Sequence, residues 1–168
     1  VVVGNHRSGA DAFMFGMWPN DLVQIVGDWP FKLPFFGFFA KWGGYYNIRR
    51  IAFDEFIRQA SDDILKHKVS VVGFPEGTRS RGSEMGQFHG TLFRLATAVK
   101  CPVYPFLILG LGAVVNRQFS VSPGTVRLYK LPKVNPEQFA AWTPFQLKNY
   151  VRNYMAAKIV ELEQANDK

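Results

Sequence analysis

The chain has one cysteine in 168 residues, Cys101, so it can form neither an internal disulfide nor a cysteine-rich zinc site. Between Lys100 and Pro102, at the head of an apolar strand, Cys101 reads as a packed thiol. Long apolar runs are also missing. The longest, from Val103 to Val115, is broken by Pro105, Gly110 and Gly112 and falls short of the roughly 18 residues a membrane-crossing helix needs. It reads as a buried strand and its exit. The three histidines, His6, His67 and His89, are scattered without metal-ligand spacing, so no metal site is expected. No Walker-type glycine loop and no G-x-S-x-G elbow occur, and no serine nucleophile is evident. Acidic residues are the minority charge: 13 against 20 lysines and arginines, for a net +7 and a pI near 9.7. That balance favours anionic partners. The basic residues do not cluster in stripes with exposed aromatics, so nucleic acid is not one of them.

What is present suits a folded core. Hydrophobic residues reach 48% and charged residues only 20%, which excludes disorder. The length predicts a single domain over 1–168. The opening "VVVGNH" reads as a strand already under way, so an upstream segment is expected. Strand and helix patterns then alternate. "LVQIVG", "VSVVGF", "PVYPFLIL" and "TVRLYKL" read as strands, and "YYNIRR" as strand or loop. "DAFMFGMW" reads as a short helix closed by Pro19 and Asn20, and "LPFFGFFAKWGG" as a helix led by a proline and stopped by paired glycines. From Ala52 to Lys68 a stripe of Phe53, Phe56, Ile57, Ala60, Ile64 and Leu65 marks a third helix. "GTLFRLATAV" is a fourth. The last runs from about Pro144 to Gln164, with Leu147, Val151, Tyr154, Met155 and Leu162 on one side. Such alternation implies an α/β sandwich, whose active sites gather at the carboxyl ends of strands.

Two loops follow such strands. The first, "NHRSGAD", sets His6 five residues before Asp11. On a helix these side chains would point roughly 140° apart, so they meet only if His6 lies in a strand-to-helix turn and Asp11 in the first turn beyond it. Together they could act as a base and its orienting carboxylate: the imidazole takes a proton from a hydroxyl, and the carboxylate fixes its tautomer. Ser8 is too close in sequence to be a comfortable partner, so the hydroxyl would be the substrate's own. The plainer reading has His6 packing a turn and Asp11 capping a helix. The second loop, "PEGTRSRGS", offers a flexible Gly77, hydroxyls at Thr78 and Ser80 and forked donors at Arg79 and Arg81. A third basic site, "NIRR", spans Asn47 to Arg50. These suit an anionic group, or else are solvated basic loops.

The blocks in order resemble the glycerolipid acyltransferases, the family that includes 1-acylglycerol-3-phosphate acyltransferase. "NHRSGAD" resembles its H-x-x-x-x-D block and "FPEGTRS" its second hallmark. "KLPFFGFFAKWGGYYNIRR" resembles the intervening segment that ends in a phosphate-binding arginine, "GQFHGTLFRLA" the helix entry after the hallmark, and "CPVYPFLI" the final V-P-x-x-P block. The resemblance covers nearly the whole chain. It implies a central, largely parallel mixed sheet flanked by helices. It implies transfer of a fatty acyl group to a lysophospholipid hydroxyl, from acyl-CoA or acyl carrier protein, without an acyl-enzyme and with no other cofactor. His6 would be the general base and Asp11 its orienting partner. Arg49 or Arg50 would hold the acceptor's phosphate, with Gly77, Thr78 and Arg79 completing the pocket. Glu76 would either position an arginine or contact the acceptor there. The family more often has an aspartate–arginine pair where this chain has "NIRR", which leaves the choice of arginine and the head group open. Other acceptors, an ornithine-type aminolipid or a lipid A-like one, share the first block. A non-catalytic lipid-binding module of the same fold would predict a broken His/Asp pair. The resemblance also implies work at a membrane surface, on the cytoplasmic face, with an anchoring helical pair upstream of this sequence. The aromatic segment from Trp29 to Tyr46 offers apolar surface for an acyl tunnel or a membrane interface, besides ordinary core.

Overall fold

A computed structural model describes residues 1–15, 21–32, 36–79, 84–115 and 120–166. Its strands are β1 (Val2–Gly4), β2 (Leu22–Val26), β3 (Tyr46–Asn47), β4 (Ser70–Gly73), β5 (Tyr104–Leu109) and β6 (Arg127–Lys130). They form one sheet in the order β3-β2-β4-β1-β5-β6. The first five strands are parallel, and β6 closes one edge antiparallel to β5. The expected largely parallel mixed sheet is what forms.

Side chains alternate between the faces of each strand. Val1, Val3, Val71, Leu107 and Leu109 point to one apolar cluster, while Val2, Val72, Phe106 and Ile108 point to another. Both faces are buried, which is why these strands read as unbroken apolar runs rather than as alternating ones.

The first face carries α4 (Phe53–Leu65), α5 (Thr91–Val99) and α7 (Pro144–Asn166). In α4, Phe56 and Ala60 are fully buried one turn apart, and Ile57 and Ile64 pack beside them. Phe53 and Leu65, counted in the same stripe from the sequence, are exposed at the two ends of the helix, and the Phe53 ring lies under the Arg94 guanidinium at 5.1 Å. In α7 the buried row is Leu147, Val151, Met155 and Ile159, each at most 3% exposed and four residues apart. Burying each such side chain contributes about 1.5–3 kcal/mol. Tyr154 and Leu162 flank the row, and Ile159 belongs to it although the sequence reading passed it over. The other face carries the short helices α1 (Asp11–Met14) and α6 (Leu111–Val114), through Phe15 and Leu111.

Helix α6 stands where the sequence suggested only the exit of a strand. Gly110, at φ +82°, turns the chain, and its carbonyl accepts from the N–H groups of Ala113 and Val114. Between β2 and β3 lie α2 (Trp29–Lys32) and α3 (Phe36–Trp42). The helix-starting Pro34 and the helix-closing Pro19 and Asn20 fall outside the described residues. Cys101 is a buried free thiol, as its position implied. No described helix is long and apolar enough to cross a membrane.

Candidate active site

β1 and β4 are parallel neighbours in register, Val2 opposite Val72 and Val3 opposite Gly73. The "NHRSGAD" and "PEGTR" segments leave their carboxyl ends side by side, although seventy residues of sequence separate His6 from Glu76. Adjacent strand ends lie only about 4.8 Å apart.

The first loop wraps around one carboxylate oxygen. Asp11 Oδ2 accepts from His6 Nδ1 at 2.9 Å and from the backbone N–H groups of Arg7 at 2.6 Å and Ser8 at 2.7 Å. The five-residue separation is therefore a turn that brings its own start and end together. Asp11 is 1% exposed and the His6 side chain 21%. With Asp11 as the carboxylate and the imidazole neutral, the proton of this bond sits on Nδ1 and Nε2 keeps its lone pair. Asp11 Oδ1 is buried with no hydrogen-bond partner among the described residues. Asp11 does not cap α1, which has Ala10 at its N-cap and no side-chain cap bond; its carboxylate closes the preceding turn instead.

The ring and the backbone are fixed from several sides. The imidazole stacks on Phe74 at 4.5 Å between ring centroids. The Asn5 side chain donates to the Ile108 carbonyl at 2.9 Å and accepts from the Ile108 N–H at 2.7 Å, joining the loop to β5 after pairing of β1 ends. Ser8 Oγ donates to the Val115 carbonyl at 3.0 Å, which places Ser8 in an anchoring role. Gln24, buried on β2, donates to the carbonyl of Ala12 and holds the start of α1. Sequence reasoning assigned no role to Asn5, Phe74 or Gln24. Asn5 and Phe74 open the two motif segments and carried a faint signal by position; Gln24 carried only its polarity within an apolar strand.

Glu76 is buried, and its carboxylate faces backbone. Oε1 accepts from the His6 N–H at 2.8 Å and Oε2 from the Gly86 N–H at 2.9 Å. Beside it the chain turns outward through Gly77, at φ +68°, where a β-carbon would come within 2.8 Å of the His89 ring. Gly77 and Thr78 are exposed and Arg79 is half-buried. Ser80 and Arg81 lie outside the described residues.

The arginines of "NIRR" are not equivalent. Arg50 Nε donates to Asp28 Oδ1 at 2.8 Å, and Asn47 donates to the same oxygen at 2.9 Å. These bonds, Asn47 first and Arg50 second, hold the Asp28 carboxyl below its ordinary value. Arg49, with its guanidinium beside Gly27, has no acidic partner among the described residues. All these groups lie on the edge of the sheet formed by the carboxyl ends of β1, β4, β2 and β3. Among the described residues no group of three or more histidine, cysteine or carboxylate side chains could hold a metal ion.

A family model described as Acyltransferase matches residues 1–109. The 1-acyl-sn-glycerol-3-phosphate acyltransferase of Saccharomyces cerevisiae is 26% identical over 96% of this chain and 56% of its own length. That of Limnanthes douglasii is 27% identical over 90% of this chain and 55% of its own. The chain thus spans little more than half the length of these relatives. The crystal structure of the 1-acyl-sn-glycerophosphate acyltransferase from Thermotoga maritima superposes with a TM-score of 0.79 at 24% identity, covering 96% of this chain and 65% of that one.

Proposed function

The chain belongs to the acyltransferase family, and from that premise we propose that it moves a fatty acyl group from acyl-CoA or acyl carrier protein to the free hydroxyl of 1-acylglycerol-3-phosphate, giving phosphatidate. The observation that carries the reading is the His6–Asp11 pair at 2.9 Å, with Nδ1 engaged and Nε2 left for a substrate. The acceptor hydroxyl gives its proton to Nε2 as its oxygen attacks the thioester carbonyl. Asp11 stabilises the imidazolium that forms. The tetrahedral intermediate then expels the thiolate, which takes the proton back from His6. The new C–O bond replaces the C–S bond, and no acyl-enzyme intervenes. An intact pair speaks against a module that only binds lipid.

The acceptor's phosphate falls to Arg49 and Arg79, beside the exposed turn at Gly77 and Thr78. Arg50 is already held by Asp28 and serves to set the "NIRR" turn. β3 lies three strand spacings from β1, about 14 Å. Arg49 must therefore reach inward along the sheet edge, whereas Arg79 extends from β4, next to β1. Phe38 and Trp42, 66% and 82% exposed on α3, support work at a membrane surface.

The reading is tested by a mass-spectrometric transfer assay across lysolipid acceptors with both donor types. Phosphatidate is expected as the dominant product. Transfer to an aminolipid or lipid A-like acceptor alone would assign the enzyme to another substrate.

A further inference from the structure

The carboxylate of Glu76 accepts from a peptide that is itself held by a group from the far end of the chain. Arg152 follows Val151 on α7, whose buried row fixes the helix against the core. Its guanidinium donates to the Met85 carbonyl at 2.7 Å and, through Nε, to the Gly86 carbonyl at 2.9 Å. The Met85 carbonyl and the Gly86 N–H are the two ends of one peptide unit. A cation therefore sits at the oxygen of that peptide while the Glu76 anion sits at its N–H. Each bond polarises the next, so the three groups reinforce one another. The other Glu76 oxygen takes the His6 N–H at 2.8 Å. A continuous path of hydrogen bonds thus runs from Arg152, through the Met85–Gly86 peptide and Glu76, to the backbone of His6.

We propose that Arg152 is a positioning residue for catalysis: it fixes Glu76, and through it the backbone from which the His6 imidazole projects. The proposal rests on the reading of His6 as the base. Its reach is notable because α7 lies wholly outside the segment matched by the family model. Asp11 sets the rotation of the ring, whereas Glu76 and Arg152 set where the ring begins. Misplacing a catalytic group by about 1 Å from a remote site can cost on the order of a hundredfold in rate.

The test compares Arg152→Gln, Arg152→Lys, Glu76→Gln and the Arg152→Gln/Glu76→Gln double variant with wild type and His6→Ala, measuring kcat, acceptor KM and melting temperature. Arg152→Gln is expected to lower kcat about ten- to a hundredfold, with acceptor KM little changed. Arg152→Lys, which keeps the charge and can make one of the two bonds, should recover part of the loss. The double variant should be no slower than Glu76→Gln alone, because both changes cut one path. A residue that only supports the fold would instead lower the melting temperature and leave kcat per folded molecule unchanged. Wild-type kcat in folded Arg152→Gln, or losses that multiply in the double variant, would overturn the proposal. Should Arg152→Gln fail to fold, Gly86→Ala provides an independent break, since its β-carbon would lie 2.9 Å from Glu76 Oε2. It should reproduce the kcat loss, and wild-type kcat in folded Gly86→Ala would equally refute the path. Activity in folded His6→Ala would remove the base assignment itself, a failure distinct from that of Arg152.

Discussion

Three N–H groups aim at a single oxygen of Asp11, and that convergence makes the residue hard to replace. An asparagine there either presents an uncharged oxygen or turns an amide nitrogen toward three donors. Asp11→Asn should therefore lower kcat about a hundred- to ten-thousandfold. Each hydrogen bond to the charged group also contributes about 1.5–3 kcal/mol to stability, so the melting temperature should fall as well. Steady-state kinetics with calorimetry on the purified variant checks both, and undiminished kcat would show that the carboxylate only caps the turn. This part of the site was legible because it is local. The histidine and aspartate share one turn, so their spacing alone posed the question and its possible answer. The clamp on Glu76 was not legible: Gly86 and Arg152 lie 10 and 66 residues from the groups they bind, and nothing in either sequence neighbourhood signals the contact.

Among the elements, the turn after β3 separates two arginines that the sequence left interchangeable. Arg49→Ala and Arg79→Ala should raise acceptor KM roughly ten- to a hundredfold, the equivalent of a lost charged contact of about 1.5–3 kcal/mol. Arg50→Ala should change it less, because its Nε–H already donates to Asp28. A larger effect at Arg50, or a rise in donor KM instead, would reassign the pocket. The same pair gives a pH signature. The folded-state pKa of Asp28 is depressed, so its contribution is present above the unfolded value of about 3.9 and is lost as pH falls below it. An NMR titration of Asp28 should show a midpoint below the ordinary range, moving upward in Arg50→Ala. A midpoint unmoved by that change would mean that Arg50 does not hold the carboxyl. Strands and long helices of this fold could be read from apolar periodicity, since both sheet faces and the row from Leu147 to Ile159 are buried. Helix α6 could not, because its four residues prolong an apolar strand and only the conformation of Gly110 ends that strand.

For the molecule as a whole, two attractions should bring it to lipid. One is the net charge of +7, screened within about 10 Å at 0.1 M salt. The other is the apolar surface of Phe38 and Trp42, one turn apart on α3 with the exposed Lys41 between them. Of the aromatics expected at that surface besides these two, Phe35 and the side chains of Phe36 and Phe39 lie outside what the structure describes. Binding to vesicles should strengthen with anionic lipid and weaken, without vanishing, in high salt. Replacing Phe38 and Trp42 by serine should remove the part that survives salt. Flotation with anionic and neutral vesicles measures both, and no binding to anionic vesicles at low salt would contradict the proposed docking. The proposed function turns on one chemical act, the removal of a proton from a substrate hydroxyl by His6. The most direct measurement follows an isotope-labelled acyl group from the thioester donor into phosphatidate, in wild type and in His6→Ala shown by calorimetry to be folded. The proposed function predicts labelled phosphatidate from wild type and its loss by at least about a hundredfold in the variant; turnover near the wild-type rate in folded His6→Ala would contradict it.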